Sequence, residues 1–190
     1  NDLSIYCKSN GLLLFLDGAR LGSALTAESN DLSLADIASL TDVFYIGGTK
    51  NGALFGEAIV IKNEEINSHF RFHLKQRGAL LAKGRALGIQ FHELFKDDLF
   101  FDLARHANEM ATKLSTAIGK QGYSFLTDSV SNQIFPILPN TIIQELSKSF
   151  EFYNWKKVDE NNSAIRLVTS WATKEEAVDA FVKQIIRLSI

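Results

Sequence analysis

A lysine follows a strand-like segment of this sequence, inside a glycine-rich turn. Residues 43–46 are apolar and favour β structure, and Gly47-Gly48-Thr49-Lys50 comes directly after them. Glycines let a backbone turn sharply and approach a bound molecule closely. Lysine can form a Schiff base with a carbonyl cofactor when desolvation lowers its pKa. The segment therefore indicates either a lysine for covalent chemistry or an ordinary loop lysine.

An acid and an arginine follow an earlier apolar run. Residues 12–16 have the length of a strand and end in Asp17-Gly18-Ala19-Arg20. A carboxylate at the mouth of a buried strand is costly unless it meets a cation or hydrogen-bond donors. Residues 34–40 have a helical apolar pattern, which predicts a right-handed β-α-β unit. Parallel strands would place Asp17, Arg20 and Lys50 at the carboxyl edge of one sheet, where open α/β sheets bind ligands.

An acid and a lysine at one sheet edge suggest a pyridoxal phosphate site, in which the acid pairs with the ring nitrogen and the lysine holds the aldehyde. Three segments carry a more specific signal: Leu16-Asp17-Gly18-Ala19-Arg20-Leu21, Gly48-Thr49-Lys50-Asn51-Gly52 and Ile165-Arg166-Leu167-Val168-Thr169. In them the chain resembles the threonine aldolase and β-eliminating lyase family of fold-type I pyridoxal phosphate enzymes. The resemblance runs from about residue 10 to the end of the sequence.

The resemblance implies a role for each matching residue. Lys50 would hold the cofactor aldehyde, Asp17 would keep the ring nitrogen protonated, and Arg20 would support Asp17 or donate to the ring oxygen. Thr49 would contact the cofactor beside the lysine. Arg166 would bind the substrate carboxylate, because a planar guanidinium matches a carboxylate with two parallel hydrogen bonds. The alternative for Arg166 is a surface position on an edge strand.

A basic segment, residues 75–85, holds four cations and no acid: Lys75, Arg77, Lys83 and Arg85. Its composition is typical of a solvated helix face. The resemblance implies instead a cation that reaches the cofactor phosphate of a neighbouring subunit through charge-assisted hydrogen bonds. We take Lys83 as the candidate for this contact, with Arg77 and Arg85 as rivals.

The family also uses an N-terminal part, which supplies a phosphate-binding loop and an aromatic residue, usually histidine, that stacks on the cofactor ring. We find neither here and expect the chain to lack that part. The 190-residue chain alone is therefore expected to bind the cofactor weakly and to be inactive. The four histidines lie in helical patterns, and we expect partly exposed helix positions for them: His69, His73, His92 and His106.

Bulk composition excludes several other classes of function. A net charge of -2 and a pI near 6.1 give no general attraction to nucleic acid or anionic membranes. The apolar runs are too short to cross a bilayer. Cys7 is the only cysteine, which excludes an intramolecular disulfide and favours a reducing compartment, so we expect a cytoplasmic location. No metal site is predicted.

The predicted fold class is α/β. Residues 1–96 are expected to form the C-terminal portion of a large, aspartate aminotransferase-like cofactor domain with a mainly parallel sheet. Residues 97–122 have a helical apolar stripe and predict a long connecting helix. Residues 123–190 predict a small α+β domain. Its final helix is expected to open at Thr173, with Glu176 completing a capping box.

The function that this resemblance implies is a pyridoxal phosphate-dependent lyase acting on amino acids. The favoured reaction is retro-aldol cleavage of β-hydroxy amino acids such as L-threonine or L-allo-threonine to glycine and an aldehyde. One alternative is β-elimination from aromatic amino acids, as in tryptophanase or tyrosine phenol-lyase. Another is a catalytically silent module that serves association. The resemblance also implies a homodimer or homotetramer with sites shared between subunits.

Overall fold

A computed structural model describes residues 1–189. The chain divides into two compact units. The first consists of Asn1–Leu25 and Asn30–Phe101, and the second of Thr26–Ser29 and the residues from Asp102 onward. The first unit combines strands with helices, including a parallel strand pair joined through helices, which confirms the predicted α/β class. The three predicted domain ranges stay a prediction.

A three-stranded sheet in the order β1-β2-β3 lies in the first unit. β1 (Phe15–Leu16) runs parallel to β2 (Val43–Gly47), as predicted, whereas β3 (Glu57–Ile61) runs antiparallel to β2. The sheet is therefore mixed, where the sequence predicts a mainly parallel one. Gly52 and Gly56, with φ of +103° and +93°, let the chain fold back from β2 into β3.

β1 is shorter than the strand predicted at residues 12–16. The cause is Asp42, whose carboxylate Oδ2 accepts a hydrogen bond from the backbone N–H of Leu14 at 2.8 Å. The backbone N–H of Asp42 also donates to the carbonyl of Leu14 at 3.0 Å. A side chain thus takes the place of a strand partner at residue 14, and the ladder begins one residue later.

Six helices of the first unit surround these strands: α1 (Asp2–Ser9), α2 (Leu21–Leu25), α3 (Leu34–Leu40), α4 (Glu64–Ser68), α5 (Phe70–Gln76) and α6 (Arg85–Leu94). The helix predicted at residues 34–40 is α3. Its start is fixed by a capping box, in which Ser33 Oγ accepts from the N–H of Asp36 and Asp36 Oδ2 accepts from the N–H of Ser33.

The second unit contains a four-stranded antiparallel sheet around β7 (Asn162–Val168). β4 (Gln133–Ile134) and β5 (Ile137–Pro139) pair with successive halves of β7 on one side, and β6 (Tyr153–Lys157) pairs with it on the other. Pro136 separates β4 from β5, which agrees with the expectation that a proline interrupts strand pairing. Phe125 forms one isolated antiparallel bridge with Pro136.

Three helices complete the chain: α7 (Leu99–Lys120), α8 (Asn140–Leu146) and α9 (Glu175–Leu188). α7 is the predicted long helix, and its apolar face is buried at Ala107, Met110, Leu114 and Ile118. No helix within residues 1–189 combines the length and the apolar character that crossing a bilayer requires. The core of the second unit includes Met110, Leu114, Ile118, Ile134, Leu138, Ile142, Leu146, Ile165, Leu167, Val178, Phe181 and Ile185.

The predicted opening of the last helix is wrong. α9 begins at Glu175 with Lys174 as its N-cap, and no side chain caps it. The hydroxyl of Thr173 instead accepts a hydrogen bond from the N–H of Ser170 at 2.8 Å, within the preceding turn. The carbonyl of Thr173 accepts from His106 Nε2 at 2.7 Å. These contacts hold Thr173 outside the helix, so no capping box with Glu176 forms.

Two glycines let the strand ends of the first sheet approach closely. The N–H of Gly47 donates to the carbonyl of Gly18 at 2.9 Å, which carries the β1–β2 pairing past the end of β1. A Cβ on Gly18 would lie 1.6 Å from the carbonyl oxygen of Tyr45, and one on Gly47 would lie 2.5 Å from that of Ala19. Both obstacles are backbone atoms, so no rotamer change could relieve them.

We therefore expect Gly18→Ala to destabilise the protein strongly, by about 3 kcal/mol or more, because the clash requires the strand ends to separate. Gly88→Ala is the matched control. Gly88 lies within α6 with no atom within 4 Å of an added Cβ, so this change should stabilise by about 0.5–1 kcal/mol. Urea unfolding midpoints measure both effects. Equal midpoints for Gly18→Ala and the wild type would show that the close approach is not required.

Candidate active site

Asp17 follows β1 directly and is held by two donors. Its Oδ1 accepts a hydrogen bond from the N–H of Ala19 at 3.0 Å and another from the hydroxyl of Tyr45. Both donors favour the ionised form, the Tyr45 hydroxyl most, and they lower the pKa of Asp17. Its Oδ2 accepts no hydrogen bond from the residues that the structure describes. Asp17 is thus a carboxylate at neutral pH with one oxygen available to a ligand.

Tyr45 is a site residue that the sequence analysis missed. It lies in β2, half-buried, and its hydrogen bond to Asp17 raises the pKa of its phenol to about 12. The hydroxyl therefore stays protonated and remains a donor throughout the neutral range. The parallel register pairs Phe15 with Val43 and Leu16 with Phe44, and one further step would place Asp17 opposite Tyr45. That register was the signal that could have identified the residue.

Lys50 lies in a turn with a fixed backbone. The N–H groups of Asn51 and Ala53 donate to the carbonyl of Gly48 at 2.9 and 3.0 Å. Asn51 is buried, and its Nδ2 donates to the carbonyl of Phe100 at 2.7 Å. The turn is thereby attached to the first turn of α7, while the side chain of Lys50 is exposed. The anchoring role of Asn51 was not apparent from the sequence.

The structure brings Asp17 and Lys50 within electrostatic reach of each other. The positive charge of Lys50 contributes to lowering the pKa of Asp17. Glu57, opposite Gly47 in the β2–β3 ladder, is a third charged group within reach. Partial burial raises the pKa of Glu57, the lysine opposes that shift, and Asp17 adds to it. Two acids and one amine therefore share the end of β2, and Glu57 was also missed from the sequence.

The other predicted residues of the first unit lie in turns and connections between the strands and helices. Arg20 is half-buried in the turn before α2, and Thr49 is exposed beside Lys50. Lys83 is exposed in the connection between α5 and α6, where most of the basic segment lies. In residues 1–189 it forms no ion pair. Its proposed contact with a cofactor phosphate stays a prediction, as do those of Arg77 and Arg85.

Arg166 belongs to the second unit, where it lies in β7 directly opposite Tyr153 in β6. Its guanidinium carbon lies 4.6 Å from the ring centroid of Tyr153 and 5.1 Å from that of Trp155. The Nε atom is buried without a hydrogen-bond partner. The side chain lines a cavity of about 660 Å³ that also includes Phe152 and Val168. Arg166 therefore points into a cleft, one of the environments that its strand position allowed.

The histidines occupy helical positions or helix ends. His69, His73 and His92 are exposed and His106 is half-buried, as expected. Within residues 1–189, no group of three or more His, Cys, Asp or Glu side chains is arranged to hold a metal ion.

The model of the beta-eliminating lyase family matches residues 1–138. This chain belongs to that family. It is 31% identical to the low specificity L-threonine aldolase of Pseudomonas aeruginosa over 185 residues, which cover 96% of this chain and 52% of that protein. It is 30% identical to the corresponding enzyme of another Pseudomonas strain, over 93% of this chain and 50% of that one.

Among solved structures, the chain resembles the threonine aldolase of Leishmania major, with a TM-score of 0.96 and 51% identity. All of this chain and 55% of that one are covered. Its structural neighbours are fold-type I pyridoxal phosphate enzymes, which confirms the family and the fold class expected from the sequence. The chain spans about half the length of the relatives that it matches.

Beta-eliminating lyases and threonine aldolases of this fold depend on pyridoxal phosphate, and the residues at the end of β2 fit that cofactor. Asp17 is ionised and keeps one oxygen available, as an acid facing a protonated ring nitrogen requires. Lys50 presents an exposed amine that forms no ion pair within residues 1–189. Asp17 and Lys50 are therefore the residues that would hold the ring nitrogen and the aldehyde.

We expect Tyr45→Phe to raise the pKa of Asp17 toward the ordinary value of 3.8, because it removes the donor that lowers this pKa most. A carboxyl group whose pKa is lower in the folded protein stabilises the folded state at pH values above its ordinary pKa. That stabilisation is lost as the pH falls through the folded-state pKa. The stability difference between wild type and variant should therefore be constant near neutral pH and shrink in acid.

Carbon-13 NMR of the aspartate carboxyl groups, titrated from about pH 2 to about pH 6, measures this pKa. Tyr6→Phe is the control, since Tyr6 is an exposed tyrosine of α1 whose hydroxyl forms no hydrogen bond within residues 1–189. An unchanged pKa of Asp17 in Tyr45→Phe would contradict the assigned hydrogen bond.

Proposed function

We propose that the protein containing this chain is a pyridoxal phosphate-dependent lyase that cleaves β-hydroxy amino acids of the L-threonine or L-allo-threonine type to glycine and an aldehyde. The observation that carries the proposal is the placement of Asp17 and Lys50 beyond the ends of two parallel strands, with their charges in mutual reach. Relatives named as threonine aldolases, at 31% and 51% identity, support this substrate class.

Pyridoxal phosphate, when bound, supplies an electron sink for the breaking of a bond at the amino acid Cα. The residues of this chain provide the conditions for that chemistry. Lys50 offers the amine for covalent attachment, and ionised Asp17 holds a proton at the ring nitrogen. Tyr45 orients the carboxylate through its hydrogen bond. Arg20 supports Asp17, and Thr49 contacts the cofactor beside the lysine.

Arg166 binds the α-carboxylate of the substrate in this proposal. Its planar fork can donate two parallel hydrogen bonds, and no acid within residues 1–189 forms an ion pair with it. A fixed carboxylate determines which Cα bond can break. Because bond choice decides the reaction, Arg166 is a determinant of cleavage as well as of binding.

A second candidate function is β-elimination from aromatic amino acids, and the family description supports the reaction type of this alternative but not its substrate. The products separate the two reactions, since cleavage of threonine yields glycine and acetaldehyde, whereas elimination from tyrosine or tryptophan with water yields phenol or indole together with pyruvate and ammonia. Conversion of an aromatic amino acid to pyruvate, without aldehyde from threonine, would replace the aldolase proposal.

The assembly and the location are also proposals. We propose a homodimer or homotetramer in which Lys83 contacts the cofactor phosphate of a neighbouring subunit. A single, buried cysteine favours a reducing compartment, and we propose the cytoplasm. The chain spans about half the length of its relatives. We therefore further propose that the 190 residues alone bind the cofactor weakly and have no catalytic activity, as in the alternative of a catalytically silent module.

Lys50→Ala tests the central assignment. The intact gene product should develop the yellow absorbance of a protein-bound imine when pyridoxal phosphate is added, and the variant should not. Threonine cleavage should fall about 10³-fold or more, because without Lys50 the cofactor would have no covalent attachment to the protein and most of the activity would be lost.

Lys62→Ala is the matched control, because Lys62 is another exposed lysine of the first unit and lies just after β3. It should retain both the absorbance and the activity. An imine band that persists in Lys50→Ala and disappears in Lys62→Ala would refute the assignment.

A further inference from the structure

The guanidinium group of Arg166 lies over two aromatic rings of the neighbouring strand. Tyr153 is paired with Arg166 in the β6–β7 ladder, and the register shifts between Asn154 and Lys156. Such an irregularity re-aims the side chains around it. Here the ring of Trp155, like that of Tyr153, lies against the guanidinium, at 5.1 and 4.6 Å from its carbon.

These two rings contribute little to the core. Tyr153 is 66% exposed and Trp155 is 51% exposed, so each leaves more than half of its surface in contact with solvent. Trp155 also packs on Phe135, with 5.3 Å between ring centroids, which limits the orientations available to its indole. The placement of both rings is therefore explained better by their contact with Arg166 than by core packing.

The contacts leave the hydrogen-bonding capacity of Arg166 unused. A cation is attracted to the face of an aromatic ring through the ring quadrupole, an interaction that occupies none of the five N–H donors of the guanidinium. Nε is buried without a partner, and in residues 1–189 no carboxylate pairs with Arg166. A cation with uncommitted donors, lining a cavity of about 660 Å³, has the properties of an anion receptor.

We infer that Tyr153 and Trp155 are positioning residues for a carboxylate site. Their ring faces hold the guanidinium in place, so that its N–H groups are already oriented when a monocarboxylate binds. This inference rests on the proposed function, in which the carboxylate belongs to the amino acid substrate. Binding at a pre-oriented fork loses less side-chain freedom than binding at a mobile arginine.

The first test follows carboxylate binding through fluorescence, without any cofactor. These 190 residues hold two tryptophans, so Trp171→Phe leaves Trp155 as the only one among them, and Trp155→Phe in the same background is the reference for emission from any tryptophan elsewhere in the gene product. In this background, the intact gene product without pyridoxal phosphate is titrated with acetate at constant ionic strength. A saturable change in emission is expected with acetate and none with acetamide, its neutral analogue. The absence of an acetate response would overturn the inference.

Variants of Tyr153 and Arg166 then separate positioning from folding. In the Trp171→Phe background, Tyr153→Leu should weaken acetate binding about tenfold, whereas Tyr153→Phe, which keeps the ring, should stay within about twofold. Arg166→Met should abolish the response. Equal acetate affinities in Tyr153→Leu and Tyr153→Phe would overturn the role of the ring.

Kinetics with threonine give a second, independent test. Trp155→Leu should raise KM about tenfold while kcat stays within about twofold, and Trp155→Phe should restore KM, because a ring face at this position is what the arginine needs. A change in kcat alone would contradict a positioning role. The absorbance of the lysine-bound cofactor should be the same in all variants. If that absorbance is absent in the wild type, the proposed function fails, whereas the acetate titration still decides the inference.

Discussion

The backbone approach between Gly18 and Gly47 is the constraint on which the candidate site depends. Two residues of β1 pair with β2, and the hydrogen bond between these glycines extends the pairing beyond the strand. This extension places Asp17 beside Tyr45 and brings the turn with Lys50 to the same sheet edge. Any side chain at either glycine would collide with a carbonyl oxygen. The charged residues of the candidate site are therefore positioned by two glycines, which have no side chains of their own.

The ionised form of the acid at the candidate site is stabilised more by neutral donors than by a cation. The Tyr45 hydroxyl and the Ala19 N–H lower the pKa of Asp17 most, and the charge of Lys50 is a smaller contribution. Within residues 1–189 the lysine and the aspartate form no ion pair. An ion pair would stabilise both charges but would also commit the amine. The Ala19 N–H and the half-buried phenol of Tyr45 stabilise the carboxylate and leave the amine of Lys50 available.

Local features of the fold were predictable from the sequence, and features set by register were not. The β2 strand, the α3 helix, and the positions of Asp17 and Lys50 after strands follow from short apolar patterns and glycines. The partner of Asp17 depends on how two distant segments align, which no single segment contains. Competing local contacts account for the errors: the Asp42 side chain shortens β1, and a turn at Ser170 removes Thr173 from α9.

Both units use the same physical device to place a charge on an apolar strand. In β7, Ile165 and Leu167 face the core while Arg166 lies between them in sequence and turns to the other face, so its charge avoids burial among aliphatic groups. An aromatic residue of the neighbouring strand contacts the charge in each unit: Tyr45 for Asp17 and Tyr153 for Arg166. The phenol satisfies a carboxylate through its hydroxyl and holds a guanidinium through its ring. A charged residue inside an apolar run, or directly after one, therefore indicates a candidate site in the sequence, and the neighbouring strand supplies the aromatic group that contacts the charge.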